Sequence, residues 1–192
     1  LTTSISKLES YSSCPFSYYL KYGLNLSEKE KLDIKPIDTG TFLHDVIDKF
    51  FKKIREDGIN VKEITDEQIR EIVEQVVNEI INYSGKFMLT AKYRTLTQRL
   101  KRVVTTSIKY IVKSLKESEF NVFESEAEFN DKEGATYQPI EMELENGKKV
   151  SIIGKIDRID IAKLPDGKYV RIIDYKSSTR DIDLNKVISG LL

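Results

Sequence analysis

The chain has 192 residues, 40% of them hydrophobic and 32% charged, which is enough to bury a sizeable core and excludes a low-complexity or collagenous polypeptide. Its 31 basic and 31 acidic residues cancel, which excludes a uniformly polycationic binder but says nothing of local patches. Cys14 and His44 are the only residues of their types, so an internal disulfide and a Ser-His-Asp arrangement away from His44 are excluded. No apolar run approaches the ~18 residues of a membrane span, and Leu1 to Ser13 carries no signal-peptide core, so a cytoplasmic chain without membrane contact is expected.

The first 116 residues read as helical. Ser6 followed by Glu9 forms a capping-box pattern, Cys14-Pro15 places a proline at the start of a second short helix, and Gly23 stands at its end. Phe42, Leu43, Val46, Ile47, Phe50, Phe51 and Ile54 predict an amphipathic helix from Thr41 to Asp57, with Gly58 as its stop. Thr65 with Gln68 is a second capping box, ahead of the stripe Ile69, Ile72, Val73, Val76, Val77, Ile80 and Ile81. A third stripe runs through Leu96, Leu100, Val103, Val104, Ile108, Ile111, Val112 and Leu115, and the three helices should share one core. Between Lys92 and Lys116 lie eight basic residues and no acidic one, whereas Glu117 to Glu145 holds ten acidic residues against Lys132. A basic helix of this kind is either a solvated face paired with its acidic neighbour or a phosphate-facing surface.

After Phe123 the period changes to two. Ile140, Met142 and Leu144 alternate with polar residues, Asn146-Gly147 marks a tight hairpin turn, and Leu164-Pro165-Asp166-Gly167 marks another. A three-stranded antiparallel meander is predicted, followed by the tail Ile182, Leu184, Val187, Ile188, Leu191 and Leu192, which reads as a helix that begins and is left incomplete.

Carboxylates within apolar strands carry the chemistry, because a buried carboxylate costs several kcal/mol unless it is paired or bound to a cation. Asp157 lies within Ile153-Gly154-Lys155-Ile156-Asp157-Arg158-Ile159-Asp160, and Asp174 shares one strand face with Lys176 two residues on. Two carboxylates on neighbouring strands suit a hard divalent ion, and a nearby ammonium can orient an attacking water. Cross-strand ion pairs of Asp157 with Arg158 or Lys176 account for the same pattern without chemistry. His44 falls at the edge of its helix's apolar stripe, half-buried as a packing residue or placed as a ligand.

Cys14-Pro15-Phe16, Tyr18-Tyr19-Leu20-Lys21-Tyr22-Gly23-Leu24, Gly40-Thr41-Phe42-Leu43-His44, Gly154 to Asp160, and Asp174-Tyr175-Lys176-Ser177-Ser178 follow one another in that order. Together they resemble the RecB-like nuclease domain of the PD-(D/E)XK superfamily, and within it the C-terminal nuclease domain of the B subunit of AddAB-type ATP-dependent helicase-nucleases. The resemblance covers nearly the whole chain. It implies an α+β, restriction-endonuclease-like fold with a helical N-terminal half and a mainly antiparallel sheet carrying the site. The single domain would divide into a Cys-Pro-Phe segment (1–39), a His-motif helix (40–58), a helical insertion (59–116), a catalytic sheet (120–178) and an incomplete helix (179–192).

The same resemblance implies that His44, Asp157 and Asp174 ligate Mg²⁺ or Mn²⁺ with the backbone carbonyl of Tyr175. Lys176 would position the water that attacks the scissile phosphate. It implies a metal-dependent exodeoxyribonuclease that acts in double-strand-break processing and recombinational repair, with a helicase-nuclease A subunit as partner and the bacterial cytoplasm, near the nucleoid, as its place. With the site so assigned, Arg94, Arg99, Lys101 and Arg102 become candidates for DNA contact. Two departures stand out: the family's Gln-x-x-x-Tyr helix would begin where this chain stops, and the [4Fe-4S] cluster of this branch needs three further cysteines beside Cys14. Cys14 is therefore expected to be an unpaired thiol here and a cluster ligand only in a longer parent, and the chain as given is expected to cleave weakly or not at all. A degenerate nuclease-fold module that binds nucleic acid or a partner is the alternative, although His44, Asp157, Asp174 and Lys176 are all present.

Overall fold

The computed structural model describes residues 1–27, 39–84, 91–133 and 135–176. A short strand, β1 (Thr2–Ser4), leads into α1 (Ile5–Ser13), α2 (Pro15–Tyr18) and a π-helical turn, Tyr19–Gly23. The N-cap of α1 is Ser4, whose hydroxyl accepts from the Lys7 N–H, and not the predicted Ser6. β1 ends at Ser4 in extended backbone, which is the conformation an N-cap residue needs.

Three long helices follow: α3 (Thr39–Glu56), α4 (Asp66–Ser84) and α5 (Ala91–Lys116). Gly58, at a φ of 65°, terminates the α3 segment, and the Thr65–Gln68 capping box opens α4 with both reciprocal hydrogen bonds in place. Their apolar stripes merge into one core in which Val46, Phe50, Val73, Val104, Ile108 and Leu115 are fully buried or nearly so. Burying each such side chain contributes about 1.5–3 kcal/mol. Val103 departs from the predicted stripe: it is 44% exposed, because Val104, one step further around the helix, takes the core position.

The sheet is built on one strand. β4 (Lys149–Leu164) pairs with β2 (Asn121–Phe129), β3 (Ile140–Glu143) and β5 (Gly167–Ile173) antiparallel and with β1 parallel. The two predicted hairpins are present, with Gly147 at a φ of 73° in the first turn. The sheet is nonetheless not a three-stranded meander, since β1 and β2 also join it. α3 packs on α4 and α5 and also against β2, which carries its residues to the sheet. The incomplete helix at 179–192 and the serines at 177 and 178 lie outside the described residues.

Candidate metal centre

The site forms where α3 crosses the middle of the sheet. Ser125 and Ala127 of β2 stand opposite Arg158 and Ile156 of β4, so Glu126 stands across from Asp157. Asp157 Oδ1 lies 3.4 Å from His44 Nδ1, and Glu126 Oε1 lies 3.9 Å from the same nitrogen. All three side chains are partly buried, and each offers one ligand atom within 4.8 Å of the others.

Tyr175 fixes this arrangement through its backbone. Its N–H donates to Asp157 Oδ2 at 2.7 Å, and its carbonyl lies 3.1 Å from His44 Nε2. A carbonyl can only accept, so Nε2 carries the proton of that bond, and Nδ1 turns a lone pair toward two carboxylates when the ring is neutral. Acceptor facing acceptors is favourable only with a cation between them. An imidazole nitrogen, two carboxylates and a nearby carbonyl form a donor set that fits a hard divalent ion.

The residues around this group account for the remaining charge. Lys155 contacts Glu126 Oε2, and that carboxylate holds the ammonium above the usual lysine range. Glu126 itself has a φ of 52°, a conformation that non-glycine residues adopt at a cost and that clusters at functional sites. Arg158 turns away from Asp157. It donates to the Tyr175 hydroxyl at 2.8 Å and to Asp160 at 3.1 Å, and its guanidinium lies against the rings of Phe51 and Tyr175. The ion pairing that the sequence left open for Asp157 is therefore taken by Asp160, which also accepts from Arg171 at 2.8 Å.

Not every expected residue joins the group. Asp174, just past β5, is 60% exposed and pairs with Lys176 at 2.6 Å, outside the His44–Glu126–Asp157 cluster. The two side chains do share one side of the chain, as their spacing predicted. Lys176 meets His44 and Tyr175 at a cleft of about 320 Å³ that is also lined by Leu43 and Ile47 of α3 and by Ser107, Tyr110 and Ile111 of α5. Glu126 was missed because Glu124, Glu126 and Glu128 alternate identically along β2; only the acidic run itself signalled a carboxylate-bearing strand.

Comparison with protein families decides what this geometry belongs to: the description "PD-(D/E)XK nuclease superfamily" matches residues 2–190. The chain belongs to the PD-(D/E)XK nuclease superfamily. Its α+β arrangement is consistent with the restriction-endonuclease-like fold of that superfamily, and Asp174-Tyr175-Lys176 reproduces the (D/E)XK pattern of the name. The chain is similar to the B subunit of the ATP-dependent helicase/deoxyribonuclease of Clostridium novyi (strain NT), 41% identical over 193 residues. It is 38% identical over 190 residues to the protein of the same name from Clostridioides difficile (strain 630), and 37% over 191 to that from Acetivibrio thermocellus. These alignments take in 98–100% of the chain but only 16–17% of each relative.

The other candidate residues lie apart from the centre. Arg94 and Lys101 line a groove between α4 and α5, where Lys101 pairs with Glu74 at 2.6 Å, and Arg99 and Arg102 are exposed. The rise of about 1.5 Å per residue puts Arg94 roughly 24 Å along α5 from Tyr110 at the cleft. Cys14 is exposed and caps α2, its sulfur accepting from the Ser17 N–H at 3.5 Å. A four-cysteine cluster does not fit a chain with one cysteine. Among the described residues no helix is long and apolar enough to cross a membrane.

Proposed function

We propose that this PD-(D/E)XK chain is the nuclease module of a helicase-nuclease, hydrolysing DNA phosphodiester bonds with Mg²⁺ or Mn²⁺ held by His44, Asp157, Glu126 and the Tyr175 carbonyl. The observation that carries the reading is His44 Nδ1 facing two carboxylates beside Asp174-Tyr175-Lys176. Bound there, the ion supplies positive charge to the phosphoryl oxygens and helps water ionise at neutral pH. The protein supplies placement. Tyr175 holds Asp157 and His44 through its N–H and carbonyl, so neither ligand must reorganise during the reaction. Lys176, half exposed at the cleft, orients the attacking water or the phosphate, and Asp174 holds its ammonium in that position.

The exonucleolytic mode, the role in double-strand-break processing and recombinational repair, an A subunit as partner, and a place in the bacterial cytoplasm near the nucleoid belong to the same proposal. They are supported by the printed names of the relatives and by their near-complete coverage of this chain. The test is hydrolysis of end-labelled linear DNA and of covalently closed circular DNA with Mn²⁺. Cleavage of the linear form alone, lost on chelation and reduced at least about a hundred-fold in Asp157→Ala and Lys176→Ala, is the expected result. A wild-type protein that binds DNA and cleaves neither substrate would establish the degenerate binding module instead, a reading favoured by the position of Asp174 outside the cluster.

A further inference from the structure

Tyr110 stands on the outer ridge of α5 with 70% of its surface exposed. Among the described residues no hydrogen bond or ring contact holds it, and burial does not explain it. Two grooves flank that ridge. One is the cleft of about 320 Å³ that reaches His44, Tyr175 and Lys176; the other, about 430 Å³, lies between α5 and the start of α4. Among the described residues Tyr110 alone lines both.

The second groove is basic. Lys109, Lys113 and Lys116 line it against one carboxylate, Asp66. Lys109 pairs with Asp66, and Lys116 donates to the Ile64 carbonyl at 2.6 Å, while Lys113, its side chain 70% exposed, has only a 3.9 Å contact with Glu117. An aromatic ring between a phosphate-cleaving cleft and a lysine-lined groove matches the way proteins hold single strands, stacking a base on the ring and neutralising the next phosphates. Resting on the nuclease reading above, we propose that Tyr110 stacks an unpaired base of the DNA strand as it leaves the metal cleft, and that Lys113 and its neighbours hold the phosphates beyond. This path along α5 is distinct from the groove of Arg94 and Lys101, where Glu74 already takes up the lysine charge.

The test is fluorescence anisotropy of a labelled single-stranded oligodeoxythymidylate, with Ca²⁺ present to hold turnover back, beside a hairpin duplex of equal length. Tyr110→Ala should weaken binding of the single strand about ten-fold and leave the duplex unchanged, whereas Tyr110→Phe should bind as wild type, because stacking needs the ring and not the hydroxyl. Lys113→Gln should reduce the salt slope of single-strand binding by about 0.7. In turnover, Tyr110→Ala should raise KM with kcat within about two-fold. A 5-iododeoxyuridine oligonucleotide should photocrosslink to Tyr110 in the wild-type protein, a readout that needs no variant to fold. Unchanged binding by Tyr110→Ala, equal losses in Tyr110→Ala and Tyr110→Phe, or a crosslink mapping elsewhere would each overturn the inference. Failure of the wild-type protein to cleave with any divalent ion would remove the nuclease reading alone, since anisotropy and crosslinking report on Tyr110 regardless of turnover.

Discussion

At the scale of the residue, Asp160 and Asp157 are separated by three positions and have opposite environments. Asp160 is fully enclosed and holds Arg158, itself only 4% exposed, together with Arg171. Replacing it by Asn leaves a guanidinium buried without its counter-charge, a loss of about 3–5 kcal/mol. Urea denaturation should show that loss in Asp160→Asn. Asp157→Asn should cost about 1 kcal/mol or less without metal, because the amide oxygen still accepts from the Tyr175 N–H. Tyr175 gives a pH signature. Burial, opposed by the Arg158 guanidinium, pushes its phenol up to about 12 from an ordinary 10. A raised folded-state value means that the protonated form is favoured by folding, so this contribution is complete below pH 10 and is lost as pH rises toward 12. Stability measured across that window should fall more steeply in wild type than in Tyr175→Phe.

At the scale of the element, the pairing of β4 with β2 is locked by a contact that no periodicity announces. A Cβ on Gly154 would lie 2.6 Å from the ring of Phe129, its register partner and a buried residue. Gly154→Ala should destabilise the domain by about 1–3 kcal/mol, measured by the denaturation midpoint, and Phe129→Leu should recover part of it by making room. The elements themselves were legible to different degrees. α3, α4 and α5 were readable because their burial repeats every 3.6 residues, and the Thr65–Gln68 box because both of its hydrogen bonds are local. β1 was not, since three residues carry no period and their partners lie near residue 151. β2 was obscured by Glu124, Glu126 and Glu128, whose alternation is acidic where a strand reading looks for apolar residues. His44 and Asp157 could be singled out by type and motif, whereas Glu126 owes its place to a positive φ and to the crossing of α3, which are tertiary facts.

At the scale of the whole molecule, the metal centre joins the helical layer to the sheet: His44 comes from α3, Glu126 from β2 and Asp157 from β4. An ion held by all three binds the folded chain and not the unfolded one, so it stabilises by mass action. Mn²⁺ at a hundred times its dissociation constant adds about 2.7 kcal/mol, which for a domain of this size raises Tm by roughly 5–10 °C. Differential scanning calorimetry should show this rise in wild type and little of it in Asp157→Ala. A rise of equal size in both would place the bound ion elsewhere on the surface.

The parallel pairing of β1 with β4 also sets an order of events in time. The Leu1 amino group donates to the Lys149 carbonyl across 148 positions, and Ser151 returns a bond to the Leu1 carbonyl. At a synthesis rate of about 5–20 residues per second, the first strand waits roughly 7–30 s for its partner to leave the ribosome. Through that interval Ile5, Leu8, Tyr11 and Phe16, exposed even in the finished fold, have no sheet to anchor them. The last segment to dock by so long a loop is also held by few contacts, so its amides should exchange with solvent deuterium well before those of α3 or the middle of β4. A nascent chain of this sequence therefore presents its earliest residues to chaperones longest, although they are the first to be made.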